Sequence, residues 1–501
     1  MVDEDSDTAA PIPQEISDGD GVVDTDETGP RWDWRHPSLD AVIMLLLVAV
    51  GVRVGLGPLG DNSFLTHLAT GRLILDHGSI PHADPYSFTA HGTPWTVQSW
   101  GASVLYAGTE RAVGLVGIRI INGAVAAALV LVLWRLTRPA KTLIPRALSC
   151  GIVVCMGTGL WVERPLLFGA LFLALVLLAA DDQLDPRWLV PVMWLWVNIH
   201  GSFPFGPAFL VLVVIGRWLD DRKKPVVELR ALGWATLGTA LGAIGPIGPK
   251  LLLFPLELLS KRQNFVGVAE WQPPRWHQGV EQFFAVQLAL LVIIALLRDR
   301  RWRTLLPTVV FGLAALSSTR NILQASIVFT PLLATAMAGM GSIQGSRRPR
   351  MARPFAAALA LLIGLIAVVS VASPSTDLAP YPEQSVSWLR ARGGLGLDDR
   401  VITQDYVGNY LEYRYGPDKV RTFFDDRVDM YPPSLIQQYT VLNAKHRTSP
   451  AQFTKVLDRI QPTAIIWERD SNLGRFLASS DQWNVVHRDE KFLVAIPRGS
   501  E

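Results

Sequence analysis

Apolar residues in this chain gather into runs of helix length separated by short polar stretches. The runs lie at 39–56, 117–134, 147–162, 165–180, 188–200, 203–219, 231–247, 282–297, 304–317, 321–340 and 354–373. A hydrocarbon core about 30 Å thick takes roughly 20 apolar residues of helix to cross. Several runs fall short of that, so the pattern predicts about eleven membrane helices with soft ends, the pair around His200 being the least sharply separated. The first run has no small-residue cleavage site after it and reads as a retained span. Beyond the last run the character changes. Short β-rich runs, VIT at 401, VRTFF at 420, TAIIW at 463, WNVVH at 483 and FLVAIP at 492, alternate with helical patterns at 383–392, 434–445, 451–460 and 472–480. That alternation predicts a small α/β domain.

The fold class expected is therefore an all-α polytopic membrane bundle followed by a C-terminal extracytoplasmic α/β domain. Its parts are an acidic cytoplasmic tail over 1–30, a membrane domain over 31–373 with a long first outer loop at 57–116, and the α/β domain over 374–501. The tail has ten acids, no Lys or Arg, and no apolar periodicity, which predicts disorder.

Charge changes the picture by giving the bundle a direction. With the tail set aside, 46 basic residues face 34 acidic ones, an excess of 12. Placing the amino terminus in the cytoplasm puts four basic clusters, Arg135 to Arg146, Arg217 to Arg230, Arg298 to Arg303 and Arg347 to Arg353, on the inner side. This is the positive-inside bias, and it accounts for the excess without a nucleic-acid partner. The assignment requires residues 95–111 to be an outer-surface segment, since Glu110 and Arg111 interrupt that stretch and a span there would turn three clusters outward. The first outer loop then holds two surface helices. One, Phe64 to Leu75, has a partly amphipathic face suited to lying on the membrane. The two cysteines, Cys150 and Cys155, sit in one apolar run and read as small hydrophobes.

Candidate chemistry collects at the outer ends of the spans, where Asp61, His67, Asp84, Glu163, Arg164, His200, Glu270 and Arg320 all fall. Ionisable groups near membrane depth are costly and tend to mark substrate paths. An acid there can take a proton from an acceptor hydroxyl, and arginine can hold a phosphate leaving group.

The stretches DNSFLTHLATGRLILDHGSIPHADPYSF, PWTVQSW and GIRIINGA resemble the first outer loop and second span of GT-C class glycosyltransferases, of the protein mannosyltransferase and aminoarabinose transferase types. WVNIHGSF, AEWQPP and STRN are similar to signatures of a related group of bacterial membrane proteins, which also tend to end in an outer-face domain. The resemblance implies a polyprenyl-phosphate-linked sugar as donor, an extracytoplasmic cell-envelope acceptor and a bilayer setting in a bacterial plasma membrane; no cofactor is assigned. It makes Asp61 the candidate catalytic or acceptor-orienting acid, the expected base of a transfer with inversion. Relatives often carry two acids at that point, whereas Asn62 follows Asp61 here and the next acids are Asp76 and Asp84.

Each candidate has a second, purely structural reading. Asp61 also suits the N-cap of the surface helix. His67 belongs to the cavity face or to the headgroup face of that helix, with a solvated side chain the plainer expectation. Glu163 and Arg164 suit a local pair at an outer turn as well as a ligand contact, and Asn198 with His200 suits hydrogen bonding across helices. Glu270 and Trp271 precede two prolines and suit a pocket wall or an interfacial anchor. Arg320 suits a phosphate contact or snorkelling to the headgroups. In FFDDRVDMYPP the acids Asp425, Asp426 and Asp429 are expected to solvate a loop or pair with Arg427; no metal site is assigned.

Glycosyl transfer from a lipid phosphate is thus the leading expectation. A transporter or lipid-handling membrane protein using the same polar residues as a path is the alternative; repeated halves and mid-membrane polar groups, its usual marks, are not visible in the sequence.

Overall fold

The computed structural model describes residues 39–340, 353–444 and 448–499. The tail expected over 1–30 and most of the fourth basic cluster lie outside the described residues. The membrane half consists of α1 (Leu39–Gly55), α2 (Asn62–His77), α3 (Trp100–Leu136), α4 (Leu143–Leu160), α5 (Leu166–Ala180), α6 (Leu189–Ile199), α7 (Phe205–Asp221), α8 (Val226–Leu241), α9 (Lys250–Ser260), α10 (Gly279–Arg298), α11 (Trp302–Ser317), α12 (Ile322–Ala336) and α13 (Arg353–Ala372).

Every predicted apolar run becomes a helix, but the count of eleven full spans does not hold. By length and composition three described stretches suffice to cross a membrane, Trp100–Ala140, Leu143–Leu160 and Gly279–Arg298. Leu166–Ala180, Trp302–Ser317 and Ala357–Ala372 are apolar but shorter. The cause is local. Polar or proline-bearing turns cut into the runs, as at 161–165 between α4 and α5 and at 200–204 between α6 and α7. A helix of 15 residues is only about 22 Å long at 1.5 Å per residue.

The outer-surface segment expected at 95–111 is the first part of α3. This helix runs over 37 residues, yet Gly114 interrupts it with φ 74° and ψ −176°. That backbone region is essentially open to glycine alone. The kink therefore divides α3 into a first arm, Trp100 to Val113, and a second arm that follows it. The amphipathic face of α2 does not lie on lipid as expected. Phe64, Leu65 and Leu68 are fully buried in protein, with Phe64 set edge-on against Tyr106 of α3. Close approach is what allows this: a Cβ at Gly71 would stand 1.9 Å from the Ser103 carbonyl oxygen.

Arg119, in the second arm of α3, is buried and donates to the carbonyls of Leu56, Gly57 and Ser373. It thereby satisfies free carbonyls just past the ends of α1 and α13. Of the two cysteines, Cys150 is buried as expected, whereas Cys155 is exposed on α4.

The C-terminal domain contains α14 (Glu383–Ala391), β1 (Val401–Ile402), α15 (Asp405–Tyr415), α16 (Pro433–Leu442), α17 (Pro450–Ile460), β2 (Ala464–Glu468), α18 (Asn472–Ser479), β3 (Trp483–Arg488) and β4 (Phe492–Pro497). The sheet order is β1-β2-β4-β3, parallel between β1 and β2 and antiparallel elsewhere. Four of the five predicted strands form. The fifth, at 420, does not join the sheet, because Thr422 bridges to Ser87 of the outer loop, accepting from Phe88 N at 2.9 Å and donating to Tyr86 O at 2.9 Å. The core of this domain is not its own alone. Phe423, Phe424 and Trp467 share a hydrophobic cluster with Ala90 of the outer loop and Phe265 of the membrane half.

Candidate active site

The turn 163–165, between α4 and α5, organises the candidate site. Glu163 Oε1 accepts from the backbone N–H groups of Gly60 at 2.5 Å and Asp61 at 2.8 Å. The neighbouring Arg164 points elsewhere. Its Nε lies 2.8 Å and 2.9 Å from the two carboxylate oxygens of Asp61, and its Nη1 donates to Glu270. Glu163 and Arg164 are therefore not the local pair of the simpler expectation, since each reaches a different part of the chain. Burial opposes the charge on Arg164, but Asp61 and Glu270 together raise its proton affinity. Asp61 is also the N-cap of α2, with Oδ1 accepting from Phe64 N at 3.3 Å. Both of its oxygens are thus engaged, by Arg164 and by the helix start.

Beside this network lies a cavity of about 250 Å³, walled by α2, the start of α3, the 163–165 turn and the segment 426–429 of the C-terminal domain. His67 lines it. Its Nδ1 is 3.2 Å from Ser103 Oγ. Burial, assisted by Arg164 and opposed by Asp61, lowers its pKa to about 4, so the ring is neutral at physiological pH. The solvated histidine of the plainer expectation is replaced by a half-buried one on the cavity face.

His200 also lines the cavity, just past the end of α6. Ser202 N donates to its Nδ1 at 3.2 Å, which places the ring proton on Nε2. Burial and the positive charge of Arg320 hold its pKa well below the usual histidine range. Asn198, by contrast, accepts from Trp100 Nε1 at 2.9 Å, bonding across helices.

Arg320 sits in the 319–321 turn between α11 and α12, with its guanidinium 5.1 Å from the centre of the Trp271 ring. It forms no ion pair among the described residues. Burial lowers its proton affinity, with Glu270 and Asp429 opposing and Arg164 adding to the effect; a guanidinium remains charged regardless. Trp271 stacks on Phe265 at 4.3 Å, and the Glu270 carbonyl accepts from Ser318 Oγ at 2.8 Å, so the AEW turn is tied to the turn that carries Arg320.

Arg320, His200, Gln98, Leu258 and Trp271 also line a second cavity of about 360 Å³, whose remaining wall includes Pro204, Phe205, Ala208, Pro255 and Leu259. Arg262, Asn321 and Gln324 are also part of the wall of this crevice, and Arg320 is the cation that lines both it and the polar chamber without an ion pair among the described residues.

Asp84 is not brought to this cavity. It is buried in the outer loop, accepting from Tyr86 N at 3.1 Å and Ser87 N at 3.0 Å, and it pairs with Arg427 at 2.9 Å. The residue that sequence reasoning missed is Asp426. It lines the cavity, accepts a hydrogen bond from Ser63 of α2, and lies beside Asp425, whose carboxylate is taken by Arg427. The acid cluster at 425–429 was the available signal, but nothing local indicates which member faces the membrane domain. Among the described residues no group of three His, Cys, Asp or Glu side chains is placed to hold a metal ion.

No family model matches this chain, and no curated protein matches it in sequence. Solved structures do. The chain is similar to the archaeal oligosaccharyltransferase AglB from Archaeoglobus fulgidus in complex with an inhibitory peptide and a dolichol-phosphate, with TM-score 0.54 and 12% identity, covering 86% of this chain and 69% of that one. It is similar also to the Archaeoglobus fulgidus oligosaccharyltransferase tethered to an acceptor peptide, with TM-score 0.52 and 13% identity over the same shares. The chain therefore shares the GT-C fold. The resemblance of its first outer loop is supported at the level of fold, with oligosaccharyltransferases as the structural neighbours.

Proposed function

We propose that this protein transfers a sugar from a polyprenyl-phosphate donor to an acceptor on the extracytoplasmic face of a bacterial plasma membrane. The observation that carries the proposal is the position of Arg320, an unpaired cation at the junction of the polar cavity and the apolar crevice. Arg320 is half-buried and in no ion pair among the described residues, with Glu270 and Asp429 only favouring its charge from a distance, so its guanidinium is open to make charge-assisted hydrogen bonds to a phosphate. A polyprenyl phosphate meets both surroundings at once, its chain in the crevice and its phosphate at Arg320, with the sugar in the polar chamber. The dolichol-phosphate bound to the oligosaccharyltransferase of the same fold supports this choice of donor class.

In this reading His200 presents Nε2–H to the donor, Arg164 adds positive charge on the phosphate side, and Glu270 holds Arg164. Asp61, the acid singled out by the sequence, orients Arg164 through a two-oxygen contact and starts α2. Such preorganised charge stabilises a departing phosphate at the moment of transfer. Asp84 supports the site from behind by compensating Arg427.

The test is an assay of the purified protein in detergent against a panel of pentose and hexose polyprenyl-monophosphate donors. Transfer from one of them is the expected result. Absence of transfer from every donor, together with movement of polyprenyl phosphate across vesicles carrying the protein, would favour the lipid-handling alternative.

A further inference from the structure

We infer that Asp426, delivered by the C-terminal domain, is the base that takes the proton from the acceptor hydroxyl. The inference rests on the glycosyl-transfer reading above and gives the C-terminal domain a direct part in the reaction.

Geometry carries it. A base must reach the chamber where sugar and acceptor meet, and must have an oxygen free to accept a proton. Asp61 fails the second condition, since Arg164 and the α2 cap occupy both its oxygens. Asp84 fails the first, since it does not line the chamber and is committed to Arg427. Asp425 is committed to Arg427 and Tyr431. Asp426 meets both conditions. Its backbone is anchored by donation to Asn409 Oδ1 at 3.2 Å, and it lines the chamber with one carboxylate oxygen, Oδ2, accepting from Ser63 Oγ and the other without a hydrogen bond among the described residues.

Electrostatics suits the role. Burial raises the Asp426 pKa to about 7, with Asp425 and Asp61 raising it further and Ser63 and Arg164 lowering it. Tyr381 also faces this carboxylate, and Asp405, Arg427 and Asp429 line the same chamber. A carboxylate near neutrality is a far better base than an ordinary one and is still ionised in a useful fraction at pH 7.

The step balances as a single displacement. The acceptor oxygen forms its bond to the anomeric carbon as its proton passes to Asp426. The bond from that carbon to the phosphate oxygen breaks, and its electron pair stays on the polyprenyl phosphate, which leaves as a dianion held by Arg320 and Arg164. The anomeric configuration inverts. Asp426 then releases the proton to water.

The experiment uses the full chain in detergent, a polyprenyl-monophosphate donor that supports transfer, octyl glycosides as acceptors, and polyprenyl monophosphate alone as a binding probe. Asp426→Asn should lower kcat by roughly 100-fold or more, with affinity for polyprenyl monophosphate unchanged within about twofold. In the unaltered protein kcat/KM should fall as pH drops below about 7. Ser63→Ala, which removes a hydrogen bond favouring the ionised form, should move that acid limb to higher pH. Near-normal kcat in Asp426→Asn, or an acid limb unmoved by Ser63→Ala, would overturn the inference. Parallel loss of polyprenyl-monophosphate binding in Asp426→Asn would also overturn it, by showing that the residue shapes the site. Absence of transfer by the unaltered protein from every donor would instead overturn the glycosyl-transfer reading, and the role of Asp426 with it.

Discussion

Arg427 Nη1 lies 2.9 Å from Asp84 Oδ1, and both side chains are buried. This bond joins the C-terminal domain to the first outer loop. Arg427 also reaches Asp425 at 2.5 Å and Glu412 at 3.4 Å and lies over the rings of Tyr86 and Trp95. Burial together with the Asp425 charge pushes the Glu412 carboxyl well up, so Asp84 and Asp425 are the carboxylates that balance the Arg427 charge most directly. The arrangement explains why a domain with its own sheet is fixed against the membrane half rather than tethered to it.

Removing one partner of such a pair leaves a buried charge uncompensated. Asp84→Ala should destabilise the protein by roughly 3–5 kcal/mol, lower its unfolding temperature and expose the 374–499 region to limited proteolysis. An unchanged melting temperature would show that the outer loop does not depend on this contact.

Asp61→Asn keeps the N-cap but weakens the hold on Arg164. If Asp61 positions Arg164, the donor KM should rise by about 10-fold with a smaller change in kcat. A collapse of kcat at unchanged donor KM would return the role of base to Asp61.

Replacing Arg320 by Gln removes the unpaired cation at the cavity junction. Affinity for polyprenyl monophosphate should drop by roughly 10- to 100-fold, the worth of a charge-assisted hydrogen bond, while Arg320→Lys should retain part of it. Direct binding measurements on both variants would check this, and equal affinity in the Gln variant would remove the phosphate from that position.

The His67 pKa of about 4 makes stability pH-dependent. Between the ordinary histidine value of about 6.5 and 4, the unfolded chain binds a proton that the folded protein refuses, so stability should fall as pH drops through that window, by an amount of order 2 kcal/mol. His67→Gln should flatten that part of the profile in denaturant unfolding. An unaltered profile would assign the acid sensitivity to other groups.

Orientation is tested by labelling. In a background without Cys150 and Cys155, cysteines introduced at Pro225 and Arg300 should be protected from an impermeant reagent applied outside, while one at Pro450 should react. Labelling at 300 from outside would reverse the map.

Much of this protein is determined by the sequence alone, through periodicity and charge. Apolar runs long enough for helices, broken by Pro and polar turns, specify the helical half, and β-rich runs alternating with helical patterns specify the C-terminal sheet, because those signals act over neighbouring residues. Asp61, His67, Arg164, His200, Glu270 and Arg320 were legible as candidates for a related reason. Charged and polar side chains at the ends of apolar helices are few, and the helices bring their ends to one face. What Asp61, Arg164 and Glu270 do depends on contacts over a hundred residues or more of sequence. Only the tertiary structure decides that Arg164 grips Asp61 at 2.8 Å, that Asp84 is spent on Arg427, and that Asp426 reaches Ser63 across 363 positions. The VRTFF run shows the same division. Its β propensity is a local property, but its hydrogen bonds went to the outer loop and not to the sheet, since a strand pairs with whatever backbone the packed fold places beside it.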